Sequence, residues 1–127
     1  MAIHIVRLGS PRGKREGLRV GTVRRPPRGI RKEDYAKRDI YDVWFPNLSP
    51  SAPLLKEYFP IDPGDWKSFK RKFLAEMNKP EPRRELELLA AMSHQTNFAI
   101  GCYCEDEMLC HRSILRELLQ KLEAEFA

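Results

Sequence analysis

The sequence predicts a small α/β fold in which a layered, largely parallel sheet is flanked by helices. Residues 98–104 form an apolar run with little alternation, which is typical of a strand buried on both faces inside a parallel sheet. A helical pattern follows this run directly, and several helical patterns separate it from two earlier strand-like runs, as a parallel crossover requires. The length of 127 residues predicts a single domain over residues 1–127.

Strand signals come first along the chain. Residues 3–8 alternate weakly, and residues 18–23 form a second candidate strand. The second strand runs into residues 24–29, where two prolines exclude the continuation of either a strand or a helix. Residues 39–45 are aromatic and β-favouring, which predicts either a short strand or an extended segment over the core.

Four helices are predicted in the rest of the chain. Ser51 is the predicted N-cap of a short helix to about Tyr58, and Asp65 that of a helix to about Asn78. The prolines in residues 80–82 are expected to end that helix, and another is predicted over residues 83–93. The last helix is predicted over residues 112–126, where apolar residues recur at helical spacing: Leu115, Leu118, Leu119, Leu122 and Phe126.

The net charge of +5 is unevenly distributed. Residues 1–40 carry 12 Lys and Arg against 4 Asp and Glu, a net charge of +8, whereas the remaining residues carry 11 against 14, a net charge of −3. This asymmetry indicates either a partner such as nucleic acid or a phosphate compound, or a solvated basic face.

The expected location follows from what the chain lacks. No run of 18 apolar residues occurs, so we expect no membrane partner, and the N-terminus lacks the long apolar segment of a secretory signal. The three cysteines are an odd number and lie close together, and in a chain that is not exported such thiols are expected to stay reduced rather than to form disulfides. We therefore predict a cytoplasmic protein, and the oligomeric state is left open.

The best candidate site is the loop between the strand at residues 98–104 and the last helix. All three cysteines lie within nine residues, at Cys102, Cys104 and Cys110, and His111 and Arg112 follow. A helix N-terminus offers unpaired N–H groups and a partial positive charge, which favour a bound anion and a thiolate. The pattern predicts Cys110 as a nucleophile or redox thiol, His111 as an acid/base or ligand-binding group and Arg112 as an anion anchor. Inert packing of small buried thiols is the alternative.

Two more specific site types are disfavoured by spacing. A phosphatase loop needs an arginine six positions after its cysteine, but those positions hold Met108 and Cys110. A zinc site could use Cys102, Cys104, Cys110 and His111, but these residues lack paired Cys-x2–4-Cys knuckles, and adjacent residues seldom converge on one ion without a turn. We therefore predict neither a metal nor a cofactor.

The spacing from Cys102 to Cys110-His111-Arg112 resembles that of the domain of unknown function 488 (DUF488) family, in the branch of the YeaO-like proteins. Two further segments support the resemblance: Pro27-Arg28-Gly29 with Ile30 and Lys32, and Leu48-Ser-Pro-Ser51 with Leu54. The chain departs from the family at Val23 and Cys104, where the family often has acidic residues, and at Pro26, where it has an aromatic residue.

The resemblance implies an α/β fold and a site formed by the arginine loop (residues 24–29) with the Cys-His-Arg turn (residues 110–112), and it implies no particular reaction. The ligand-binding residues proposed on this basis are Arg24, Arg28, Arg112, Cys102 and Ser51. If the strand before the arginine loop lies parallel to residues 98–104, the arginines reach the same rim of the sheet as Cys110.

Two hypotheses about function follow. The first is an enzyme-like domain whose pocket binds a small anion, either a phosphate or a carboxylate and including nucleotides, beside a reactive Cys110. The alternative is a non-catalytic module that binds nucleic acid or a protein through the basic N-terminal face, with structural cysteines. The sequence alone does not decide whether the protein is an enzyme.

Overall fold

A four-stranded parallel sheet organises the computed structural model, which describes residues 1–127. The strands are β1 (Ile3–Arg7), β2 (Leu18–Gly21), β3 (Val43–Trp44) and β4 (Phe98–Cys102). Their order across the sheet is β1-β4-β2-β3, and every neighbouring pair is parallel. The predicted α/β fold with a parallel sheet is confirmed.

β4 lies between β1 and β2, which explains its unbroken apolar sequence. All five of its residues are buried, and Phe98 pairs with Ile3 on one side and with Leu18 on the other. Gly17 fixes the start of β2 beside the start of β4: its φ is +79°, and a Cβ there would lie 2.0 Å from the carbonyl oxygen of Asn97. Because the strands are parallel, the segments that follow β2 and β4 leave the sheet at the same edge.

Four helices accompany the sheet: α1 (Ala52–Tyr58), α2 (Trp66–Met77), α3 (Pro80–Met92) and α4 (His111–Lys121). The main core cluster combines side chains from β1, β2 and β4 with side chains from all four helices, and its fully buried members include Phe69, Phe73, Leu89, Ile100, Ile114 and Leu115. No helix is long and apolar enough to cross a membrane.

Several predicted boundaries shift. α3 begins at Pro80 rather than residue 83, because proline is tolerated in the first helical turn, where its missing N–H has no intrahelical partner. α4 ends at Lys121 rather than residue 126: Glu123 has a φ of +64°, and Phe126 forms a bridge with Ile3 instead. Residues 39–45 contribute a two-residue strand, so the strand interpretation is the right one.

Candidate functional site

A cavity of about 630 Å³ lies beyond the carboxyl ends of β2 and β4. Its walls come from four parts of the chain: the segment after β2, the segment before α1, the α1 helix with its C-cap, and the β4–α4 connection with the start of α4. The lining residues are Val23, Arg24, Arg25, Pro26, Pro27, Arg28, Ser49, Pro50, Leu55, Phe59, Cys102, Tyr103, Cys104 and His111. The cavity therefore joins the arginine loop (residues 24–29) to the cysteine-rich connection.

The arginine loop gives the cavity a positive charge that no acidic side chain neutralises. Arg24 is oriented by two backbone carbonyls, since its Nε donates to Pro50 O at 3.1 Å and its Nη2 to Ser49 O at 3.2 Å. Arg25 and Arg28 are exposed, and none of the three arginines takes part in an ion pair. Uncompensated cations along one wall make the cavity electropositive.

A second part of the site is the thiol–imidazole centre, which consists of Cys102, Cys110 and His111. One side-chain atom of each residue lies within 4.8 Å of the other two, and all three residues are buried. Cys110 is the N-cap of α4, with extended φ and ψ of −131° and 148°, and His111 is the first residue of the helix. This turn into the helix brings two adjacent side chains together near the end of β4.

Thr22 sets the orientation of the His111 ring. The His111 Nε2 lies 2.6 Å from Thr22 O, and because a carbonyl can only accept, Nε2 carries the proton. The Thr22 hydroxyl donates to Gly101 O at 3.0 Å and lies 3.2 Å from the same Nε2. His111 Nδ1 is therefore left to face Cys110 Sγ, 3.7 Å away.

Arg112 is a buried cation whose only candidate anion is a sulfur. Its Nη1 donates to Val6 O and its Nη2 to Cys104 O, both at 2.7 Å, while its Nε donates to Cys110 Sγ at 3.3 Å. The side chain is 3% exposed and takes part in no ion pair with a carboxylate. Because a buried charge needs an opposite charge, this arrangement favours the thiolate form of Cys110.

Hydrogen bonds among the sulfurs shift their pKa values in opposite directions. Donation from Cys102 and Cys104 lowers the pKa of the Cys110 thiol far below its usual range, although burial opposes the shift. The hydrogen bond of Cys102 with Cys104, followed by its contact with Cys110 and its burial, raises the pKa of Cys102. Burial lowers the pKa of His111, but its contacts with Cys102 and Cys110 raise it to about 10. The negative charge of the centre is therefore concentrated on Cys110.

The structure brings some of the predicted site residues together and separates others. Arg24, Arg28, Cys102 and His111 line the one cavity. Cys110, which is 1% exposed, does not line it. The predicted catalytic and ligand-binding roles of these residues stay predictions.

Arg112 and Ser51 are engaged elsewhere and do not border the cavity. The guanidinium of Arg112 binds protein atoms, as described above. Ser51 caps α1, because its hydroxyl accepts from Leu54 N at 3.3 Å, and the same hydroxyl donates to Glu76 Oε2 at 2.5 Å. The neighbours of Ser51, Ser49 and Pro50, form the cavity wall in its place.

The residues predicted for the site did not include four that give it charge, aromatic surface or the orientation of His111. Arg25 lies between two predicted ligand-binding arginines in the same loop, and this position in the sequence could have predicted its place in the site. Phe59, at the C-cap of α1, and Tyr103, immediately after β4, are partly exposed aromatic walls of the cavity. Thr22 acts through its backbone carbonyl as well as its hydroxyl, and a backbone contact of this kind leaves no sequence signal.

A protein-family comparison matches residues 3–123 to DUF488-N3a, described as the active DUF488-N3 subclade. The match spans all four strands and all four helices, and includes both the arginine loop and Cys110-His111-Arg112. The resemblance to the DUF488 family predicted from the sequence is therefore confirmed. Neither the curated proteins nor the solved structures provide a match.

Proposed function

The chain belongs to the DUF488 family, and we propose that it is an enzyme-like domain that binds a small anionic ligand beside its thiol–imidazole centre. One observation carries the proposal: a single cavity is lined both by three arginines without acidic partners and by Cys102 and His111. A ligand anion held by the arginine loop would lie next to groups able to act on it.

The side chains around the cavity favour a phosphate or carboxylate group attached to an apolar, planar portion. Arginine presents a fork of donors that matches the oxygens of both anions. Arg24 is already oriented by its two carbonyl contacts, so less of its freedom is lost on binding. Phe59 is 53% exposed and Tyr103 37% exposed, and aromatic faces of this kind stack on nucleobases. A nucleotide satisfies both requirements.

The thiol–imidazole centre would supply the reactive groups. Cys102 and His111 line the cavity in which the ligand would lie, whereas Cys110 holds negative charge next to them. A thiolate beside an imidazole is the usual arrangement of an activated cysteine. The reactive cysteine predicted from the sequence is in this way part of a group of three residues rather than a residue acting alone.

Isothermal titration calorimetry with inorganic pyrophosphate tests the anion site. We expect Arg28→Gln to weaken binding roughly tenfold, which corresponds to about 1.4 kcal/mol. Arg38→Gln is the matched control, because Arg38 is also exposed but lies outside the cavity, and it should leave the affinity within about a factor of two. Equal weakening by both substitutions, or no binding by the unmodified chain, would contradict the proposal.

A nucleic-acid-binding module is the second candidate, and one observation favours it. Several exposed cations of the N-terminal part lie outside the cavity and form no ion pairs: Lys14, Arg15, Lys32, Lys37 and Arg38. A module of this kind would bind an RNA oligonucleotide with steep salt dependence. The affinity for RNA would fall as much with Arg38→Gln as with Arg28→Gln. The same affinity would be unchanged by Cys102→Ser.

A further inference from the structure

We infer that Cys102, Cys110 and His111 form a binding site for one zinc-like divalent ion, with a fourth coordination position open to the arginine-lined cavity. This inference goes beyond the proposed anion binding and does not depend on it, since metal binding is measured with no anion present. It revises the expectation from spacing, which treated the adjacency of residues 110 and 111 as an obstacle.

The distances suit a metal ion after a small contraction. The three ligand atoms lie within 4.8 Å of one another, and Cys110 Sγ is 3.7 Å from His111 Nδ1. In a tetrahedral zinc site, bond lengths of about 2.0–2.3 Å place neighbouring ligand atoms roughly 3.5–3.8 Å apart. The adjacent residues converge because Cys110 is extended at the N-cap while His111 already belongs to the helix.

Contacts around the three ligands resemble those that orient ligands at metal sites. A metal-binding histidine usually donates its other ring N–H to a carboxylate or a backbone carbonyl, which fixes the ring. His111 does this through Nε2 and Thr22 O at 2.6 Å, leaving Nδ1 directed at the sulfur of Cys110. The Arg112 Nε donates to that same sulfur at 3.3 Å, a contact that a metal-bound thiolate can retain.

Charge balance also favours a cation in this position. In a metal-bound site, the buried Arg112 that donates to Cys110 Sγ would supply one positive charge. A divalent ion bound by the thiolates of Cys102 and Cys110 would leave the group with a net charge of about +1, which one anionic oxygen in the open position would neutralise. Two thiolates and an imidazole form a soft ligand set suited to zinc, and two Cys with one His and an open position is a known catalytic arrangement.

The fourth coordination position is assigned to the cavity side because of where the ligand residues and the third cysteine lie. Cys102 and His111 both line the cavity, so the centre has a face toward it. Cys104 Sγ lies 3.7 Å from Cys102 Sγ but falls outside the three-residue cluster. Cys104 is therefore the nearest sulfur that would close the site if it bound the metal, and it provides the matched control.

The test is an anaerobic titration of the full chain, reduced and freed of metal with a chelator, with Co²⁺ followed by Zn²⁺. We expect one Co²⁺ per chain, thiolate-to-cobalt charge-transfer absorption, the visible bands of tetrahedral cobalt, and displacement by Zn²⁺. Cys104→Ser should retain these spectra, whereas Cys102→Ser should lower the Co²⁺ affinity at least tenfold. Cys102 is the informative ligand to replace because it borders the cavity, and circular dichroism verifies that the variant is folded.

Three outcomes would overturn the inference. The first is no charge-transfer absorption in the unmodified chain, and the second is an unchanged affinity in folded Cys102→Ser. The third is an equal loss in Cys104→Ser, which would indicate a closed four-ligand site. Pyrophosphate calorimetry on the metal-free chain is a separate readout, so failure of the metal site and failure of the anion site are distinguishable.

Discussion

Arg19 and Arg112 are both buried arginines that join distant parts of the chain, but their positive charges are offset differently. Arg19 is 0% exposed and forms a two-pronged ion pair with Glu16, with Nε to Oε2 at 2.6 Å and Nη2 to Oε1 at 3.1 Å. Arg112 is 3% exposed and has two backbone carbonyls and the sulfur of Cys110 as partners. The first charge is offset by a carboxylate, and the second only by a thiolate.

This difference distinguishes the Arg19–Glu16 pair, which stabilises the fold, from Arg112, which belongs to the candidate functional site. A carboxyl group is ordinarily ionised at pH 7, so the pair with Arg19 keeps the buried Glu16 in its usual charge state and fixes the turn before β2. A thiol is ordinarily neutral at pH 7, but hydrogen bonds from Cys102 and Cys104 lower the pKa of Cys110, and the buried guanidinium of Arg112 contacts the same sulfur. The buried Arg112 beside Cys110 is therefore consistent with the thiolate that we propose at this position.

The largest effect is expected from Arg19→Met, which leaves the Glu16 carboxylate buried without its partner. Neutralising a carboxyl group at pH 7 costs about 3.4 kcal/mol, since its ordinary pKa lies roughly 2.5 units lower. We expect the free energy of unfolding to fall by about 3–5 kcal/mol in urea denaturation. The control is Arg19→Met combined with Glu16→Gln, which should recover a large part of the loss. A loss below about 1 kcal/mol in the single variant would contradict this role.

A smaller loss is expected from Arg112→Met in the metal-free protein. Without the guanidinium, hydrogen bonds from Cys102 and Cys104 still stabilise the Cys110 thiolate, so only the hydrogen bonds made by Arg112 are lost. The expected destabilisation is about 1–3 kcal/mol. A double-mutant cycle with Cys110→Ser isolates the Arg112–Cys110 interaction, which we expect to exceed about 0.5 kcal/mol. A loss as large as that of Arg19→Met, or no coupling in the cycle, would remove the contrast between the two arginines.

Acid sensitivity should come from the carboxylates around Arg19. Burial raises the pKa of Glu16 and Asp42, but hydrogen bonds from Arg19 and Arg12 respectively outweigh it, so both lie below their ordinary values of 4.5 and 3.8. Because the unfolded chain then binds more protons than the folded one, stability is complete above these values and falls as pH drops through the folded pKa values. Urea denaturation between pH 6 and pH 3 should show a shallower decline in Glu16→Gln. An identical decline in both proteins would exclude Glu16 as a cause.

The smallest effect on stability is expected from Arg28→Gln. Arg28 is exposed and unpaired, unlike either buried arginine, so its replacement should change the free energy of unfolding by less than about 0.5 kcal/mol. The same variant is expected to lose pyrophosphate affinity. A marked destabilisation in urea would show that Arg28 supports the fold, and the loss of affinity would then carry no information about a ligand site.

Much of this arrangement follows from local sequence patterns. The apolar sequence of β4, the cap at Ser51 and the leucines of α4 are signals that neighbouring residues establish together. The arginine loop lies next to Cys102 and His111 because β2 and β4 are parallel neighbours, a topology that the sequence analysis assumed. The start of α3 was missed because proline both ends helices and begins them, and only the observed turn distinguishes the two.

The burial and the contacts of the site residues could not be predicted from the sequence. Arg112 was predicted to meet a ligand, but the sequence contains its charge and not its burial, nor the carbonyl of Val6, 106 residues away, that receives its Nη1. The choice between thiolate and packing at Cys110 depends on that burial. Phe59 is the C-cap of α1, and no pattern within a short window connects it with Tyr103, which lines the same cavity.

The central claim is that an anion is held by the arginine loop directly beside the thiol–imidazole centre. The most direct test is the rate at which iodoacetamide alkylates Cys104, the half-buried thiol that lines the cavity beside Cys102. The rate is measured by peptide mass spectrometry on the metal-free chain, with and without pyrophosphate at a concentration near its dissociation constant for the unmodified chain. We predict that pyrophosphate slows alkylation of Cys104 in the unmodified chain and that Arg28→Gln removes most of this protection at the same pyrophosphate concentration. An unchanged Cys104 rate while calorimetry shows pyrophosphate bound would place the anion elsewhere and contradict the proposal.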